Sequence, residues 1–122
     1  MSLRFLGIDI GAETVKLVEL EREGDRLRWT RRWIGEHSKE PGATLTARLA
    51  AWGWDGLGGA AVTGRLGRQT RLRRVPVKQA QALGFQHLCG PEPATLVSIG
   101  SHGFSVLELR EGGHQVFREN SR

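Results

Sequence analysis

The stretch Phe5-Leu6-Gly7-Ile8-Asp9-Ile10-Gly11-Ala12-Glu13-Thr14-Val15-Lys16 decides how the rest of the chain is read. Its first half is a short apolar run that carries one acid near its end and stops at a glycine. That is the pattern of a buried central strand, with Asp9 placed for a ligand rather than for the core. Thr14 to Glu21 and Leu27 to Trp33 are rich in β-branched residues, Leu and Trp, and Glu23-Gly24-Asp25 between them is turn chemistry, so the two segments form a hairpin. Pro41-Gly42 then opens a helix with Leu45, Leu49 and Trp52 at helical spacing, ended by Gly53 and Asp55-Gly56. Gly59 to Thr63 reads as a small-residue strand running into Gly64. Pro76, suited to a first helical turn, begins a second helix through Gln79, Ala80, Ala82 and Leu83. Gly90-Pro91 and Pro93 break the chain.

Past this break the chain repeats its opening at a constant offset of 89 residues. Leu96-Val97-Ser98-Ile99-Gly100 matches Gly7 to Gly11, Val106-Leu107-Glu108-Leu109 matches Leu17 to Leu20, and Gly112-Gly113 falls opposite Glu23-Gly24. Two hairpins resemble one another by chance easily. A strand, a terminal glycine and a hairpin in one register do so less easily, and the pattern reads as an internal duplication. The expected lobes are 1–94 and 95–122, the second cut off at Arg122 after its third strand.

Composition fits a folded protein, with 39% hydrophobic and 25% charged residues. The 122 residues amount to one domain's worth of core. Apolar runs are far shorter than the ~20 residues of a membrane span, and the N-terminus lacks signal-peptide features, so a cytoplasmic location is expected. Cys89 is the single cysteine; it excludes an internal disulfide or a zinc or iron–sulfur site from this chain alone and reads as a small buried hydrophobe. The net charge is +5, and Arg65, Arg68, Arg71, Arg73 and Arg74 form a basic segment without acids. Such a cluster could meet nucleic acid or an acidic partner, but no aromatic residues are interleaved to stack on bases.

A strand ending Asp-Ile-Gly and turning through Ala12-Glu13 into Thr14 offers a nucleotide three things. Asp9 can hold the water shell of a magnesium ion, Gly11 lets backbone approach phosphate oxygens, and the turn's N–H groups with the Thr14 hydroxyl can donate to them. Lys16 adds a cation. Gly100-Ser101-His102-Gly103 would supply a second phosphate turn. Taken alone, Asp9 reads as readily as a turn or cap residue. Glu13 reads as an exposed turn residue or as a group that positions water. His37, His87, His102 and His114 fit no metal-ligand spacing and read as surface or packing residues, only His102 standing as a site candidate through its place in the second hairpin; Trp29, Trp33, Trp52 and Trp54 read as core or subdomain contacts.

Gly7 to Lys16 resembles the first phosphate motif of the acetate kinase, sugar kinase, heat-shock chaperone and actin superfamily. Within it the chain is most similar to the ATPase activators of 2-hydroxyacyl-CoA dehydratases and related benzoyl-CoA reductase subunits, the BadF/BadG/BcrA/BcrD group. Thr63-Gly64-Arg65-Leu66-Gly67-Arg68 looks like that group's Thr-Gly-Tyr-Gly-Arg segment with one insertion, and Leu96 to Leu107 stands where its second phosphate motif lies. Val116-Phe117-Arg118-Glu119-Asn120 looks like the stretch leading to its cluster cysteine. The usual Asp-Ile-Gly-Gly-Gln-Asp of the second motif reads Ser98-Ile99-Gly100-Ser101-His102-Gly103, without either carboxylate.

The resemblance implies an α/β, ribonuclease H-like (actin-like ATPase) lobe of three antiparallel strands, then helix, strand and helix, followed by the opening hairpins of a duplicate. It implies ATP and Mg as ligands, with Asp9 catalytic and holding magnesium through water. Gly11, Ala12, Glu13, Thr14, Lys16, Gly100, Ser101 and His102 would lie around the phosphates. In the longer protein it implies a homodimer holding one [4Fe-4S] cluster, with no ligand from this chain, and a 2-hydroxyacyl-CoA dehydratase that receives a low-potential electron. The alternatives are a basic module for nucleic acid or an acidic protein and a sugar or acid kinase fragment. No membrane partner is expected, nor nucleic acid on the activator reading.

Overall fold

The computed structural model describes residues 2–100, 103–113 and 115–121, with Asn120 and Ser121 described by their backbone alone. The chain divides into two compact units, Met1–Val75 and Pro76–Arg122.

The first unit is a five-stranded sheet in the order β3-β2-β1-β4-β5. Its strands are β1 (Leu3–Ile10), β2 (Thr14–Glu23), β3 (Arg26–Glu36), β4 (Leu57–Thr63) and the two-residue β5 (Arg73–Arg74), with helix α1 (Pro41–Trp52) between β3 and β4. β1 is central, antiparallel to β2 and parallel to β4. Alternation along β1 and β2 puts Leu6, Ile8, Ile10, Val15 and Leu17 on one face, and these meet Val62 of β4 and Leu45 of α1 in the core. Leu49, Trp33, Trp52, Leu66 and Leu72 close its margins.

One residue on that buried face is an acid. Glu19 is 2% exposed and accepts hydrogen bonds from Arg4 Nε (2.8 Å), Arg31 Nη2 (3.0 Å) and Thr30 Oγ1 (2.6 Å). Arg4 also donates to the carbonyls of Gly53 and Asp55, and Arg31 to that of Trp52 while lying over its ring at 4.6 Å. Two cations thus sit at the C-terminal end of α1, where its carbonyls and dipole favour them, and Glu19 holds both to the sheet.

The second unit holds α2 (Val77–Cys89) and a sheet β6-β7-β8 made of Ala94–Gly100, Gly103–Leu109 and Gln115–Ser121. Ala82 and Phe85 of α2 pack on Leu96, Leu107, Leu109 and Phe117. On the sheet's other face Val97, Ile99 and Phe104 are exposed. The helix expected to close the first lobe therefore groups with the second sheet.

The 89-residue offset holds in the pairing register of the opening hairpins: Ile8 faces Leu17 as Val97 faces Val106, and Gly7 faces Val18 as Leu96 faces Leu107. It does not hold in the next pair, because β2 and β3 are joined by a two-residue turn and β7 and β8 by the longer 110–114 connection. β3 runs on to Glu36, past the Trp33 expected from composition, because it pairs with β2 as far as Thr14. β5 was not expected; its pairing to Ala61 and Val62 of β4 lines up Arg73 and Arg74. Two packing expectations fail: Cys89 is exposed, at the last residue of a helix whose buried position is Ala82, and Trp29 and Trp54 are about half exposed at 51% and 58%. No described helix is long and apolar enough to cross a membrane.

Candidate functional site

The parallel pair β1 and β4 ends at one edge of the first sheet, where open α/β sheets usually bind ligands. There Asp9 pairs with Lys16 on β2 and with Thr63 on β4, so a cation, a carboxylate and a hydroxyl form one row across three strands. Lys16 Nζ lies 3.7 Å from Asp9 Oδ2, and both side chains are well exposed, at 54% and 41%. An ion pair so open to water is weak, about 0–1 kcal/mol, and yields readily to a ligand or metal.

Beyond Asp9 the chain turns through Gly11, Ala12 and Glu13. The Gly11 N–H donates to the Thr14 carbonyl at 2.9 Å, which closes the turn and leaves Ala12 and Glu13 exposed. A second loop lies against it. The Leu66 N–H donates to the Ile10 carbonyl at 2.9 Å and the Gly67 N–H to the Gly64 carbonyl at 3.1 Å. Gly64 has φ +98°, and a Cβ there would overlap Asp9 Oδ1 and sit 2.5 Å from the Ile10 carbonyl oxygen. Only glycine lets this loop press on the carboxylate. Thr63 Oγ1 is buried and has no hydrogen-bond partner, an expense that native structures seldom carry without use.

His37 supports the turn from within. Its ring is buried, Nε2 lies 2.9 Å from the Gly11 carbonyl oxygen, and Nδ1 takes the Lys39 N–H at 3.1 Å. The His37 N–H donates to the Glu13 carbonyl at 3.0 Å.

Asp9, Gly11, Ala12, Glu13, Thr14 and Lys16 are thus brought to one edge of one sheet. Gly100 ends β6, exposed and paired with Gly103; Ser101 and His102 lie outside the described residues. Three residues of the site were not expected there. Thr63 and Gly64 belong to a recognisable motif whose part in the Asp9 edge shows only once β4 lies beside β1. His37 was hidden by ending β3 early: the extended register sets Glu36 opposite Thr14 and so His37 beside Glu13.

The site suits a phosphate ligand carrying magnesium: an accessible carboxylate and a glycine-shaped cradle beside a turn whose Ala12 and Glu13 are exposed. Among the described residues no cluster of three His, Cys, Asp or Glu side chains could hold a metal alone, so such an ion would rest on Asp9 together with ligand oxygens and water.

No protein-family model matches the chain, and no curated protein matches its sequence. Solved structures do share its fold. Component A of the (R)-2-hydroxyglutaryl-CoA dehydratase of Acidaminococcus fermentans matches with TM-score 0.80 and 17% identity over 98% of this chain and 48% of its own. The activator of the 2-hydroxyisocaproyl-CoA dehydratase of Clostridium difficile, solved with bound ADPNP, matches with TM-score 0.73 and 22% identity over 100% of this chain and 46% of its own. A Ppx/GppA family member from Aquifex aeolicus matches with TM-score 0.63 and 13% identity over 99% and 52%. The chain has the actin-like ATPase fold of these proteins and spans about half their length.

Proposed function

We propose that this chain is the N-terminal part of an ATP-hydrolysing activator of a 2-hydroxyacyl-CoA dehydratase, and that its first unit supplies the phosphate-1 side of an ATP·Mg site. The observation that carries the reading is the Asp9 edge: an exposed carboxylate held by a Gly64 cradle beside a turn of small residues, in a fold shared with an activator solved with bound ADPNP. On this reading the N–H groups of Ala12 and Glu13 and the Thr14 hydroxyl donate to phosphate oxygens, Gly11 lets the backbone come close, and Lys16 adds charge. Glu13, exposed in the turn, is free to orient a water. Magnesium, when bound, neutralises phosphate charge, and Asp9 would hold it through its water shell.

A second phosphate turn from Gly100, Ser101 and His102 is part of the same proposal; Ser101 and His102 lie outside the described residues. In the longer protein the proposal extends to a homodimer, a [4Fe-4S] cluster ligated outside this chain, and electron delivery to the dehydratase, all in the cytoplasm. The test is Asp9→Asn in a chain extended through the second lobe. Hydrolysis should fall far more than nucleotide affinity, since placing metal and water matters most in the transition state. Equal losses in both, or none, would remove Asp9 from this role. The 122-residue chain itself should bind ATP·Mg only weakly, because contacts to solvated phosphates leave little surplus over the cost of association.

A further inference from the structure

His37 touches no expected ligand, yet it is one of the two buried polar side chains among the described residues. Both its ring nitrogens are committed. The Lys39 N–H can only donate, so Nδ1 accepts and is unprotonated; the Gly11 carbonyl can only accept, so Nε2 carries the hydrogen. The ring is thereby fixed in one tautomer and orientation. The backbone around it is unusual: Ser38 and Lys39 have φ of +49° and +64°, a conformation side-chain-bearing residues rarely adopt, and it is this bend that returns the Lys39 N–H to the ring. Strain of this kind recurs at ligand-binding sites.

The consequence lies one peptide away. The Gly11–Ala12 peptide is trans and planar, so its C=O and N–H point in opposite directions. With the carbonyl held inward by the imidazole, the Ala12 N–H is turned outward. We infer that His37 is a positioning residue of the phosphate turn, which presents the Ala12 N–H to an incoming phosphate by holding the Gly11 carbonyl. The inference rests on the phosphate-binding reading of this turn and goes beyond it by naming the side chain that sets the turn's donor.

The test is an amide NMR titration of the 122-residue chain with ATP·Mg, for wild type, His37→Phe, His37→Gln and His37→Asn. Gln can replace the Nε2 donor to Gly11; Asn can replace only the Nδ1 acceptor for Lys39. Wild type should show ATP·Mg-dependent shifts led by the Ala12 amide. His37→Phe and His37→Asn should bind about tenfold more weakly, the effect of one misplaced donor, and His37→Gln should recover most of that loss. If His37→Phe does not fold, the Gln and Asn variants decide the matter. A histidine needed only for folding would leave folded variants with equal affinity and an unchanged Ala12 shift, and that result overturns the inference while leaving the phosphate reading intact. No shift anywhere in wild type at millimolar ATP·Mg overturns the phosphate reading and this role with it.

Discussion

Replacing Gly64 by alanine tests whether the loop after β4 is moulded to the Asp9 carboxylate. The added Cβ overlaps Asp9 Oδ1 and stands 2.5 Å from the Ile10 carbonyl oxygen and 2.8 Å from its carbon, and two of those three atoms are backbone that cannot swing aside. A φ of +98° adds its own cost for a residue with a side chain. Left-handed backbone costs about 1–2 kcal/mol and overpacking about 1–3 kcal/mol, so Gly64→Ala should lose about 3 kcal/mol. For a unit the size of residues 1–75 this corresponds to a fall in Tm of about 12–24 °C. Gly42→Ala is the matched control: it lies in α1, nothing stands within 4 Å of its Cβ position, and it should be neutral or gain about 0.5–1 kcal/mol. Thermal and urea unfolding followed by circular dichroism measure both. A loss below about 0.5 kcal/mol for Gly64→Ala, the range of ordinary surface substitutions, would refute the cradle.

Charge sets two further outcomes. Burial alone would raise the Glu19 carboxyl, but hydrogen bonds from Arg31, Thr30 and Arg4 outweigh it and hold the pKa at about 2 against an ordinary 4.5. Its stabilising contribution, up to about 3 kcal/mol, is present above about pH 4.5 and lost as pH falls towards 2; Glu19→Gln should flatten acid unfolding in that window, and an unchanged acid limb would refute the assignment. Arg65, Arg68, Arg71, Arg73 and Arg74 are all exposed, Arg73 and Arg74 even while paired in β5, so the nucleic-acid alternative is directly measurable. A gel shift at about 150 mM salt should show at most weak, sequence-independent binding to DNA; submicromolar binding abolished by changing Arg71, Arg73 and Arg74 to Ala would favour that alternative.

The central strand, the hairpin that follows it, the existence of β4 and both helices were legible because each carries its own local signal: an apolar run, a Gly-Asp turn, a small-residue run, a helical spacing opened by proline. Asp9 and its turn were legible for the same reason. Glu19 was half legible, since strict alternation along β2 sets it on the face of Val15 and Leu17, but no local pattern names the two arginines that satisfy it, which come from β1 and β3. His37 and Gly64 reach the Asp9 edge through contacts with residues 26 and 55 positions away. Their roles depend on the register of β3 against β2 and on how the loop after β4 returns over β1, and neither is encoded within a window around the residue itself. β5 escaped because two arginines carry no strand signal; pairing with β4 alone defines them.

The most direct measurement is where a nucleotide-bound metal ion comes to rest. Manganese in place of magnesium on ATP broadens NMR signals of nearby nuclei, and comparison with manganese alone separates a nucleotide site from stray carboxylates. Mn·ATP should selectively broaden the amides of Asp9, Gly11 to Thr14 and Gly64 in the 122-residue chain, and manganese without nucleotide should not reproduce that pattern. Broadening centred on the 65–74 arginine segment, or spread over the surface acids without preference for the β1–β2 turn, would contradict a phosphate site at Asp9.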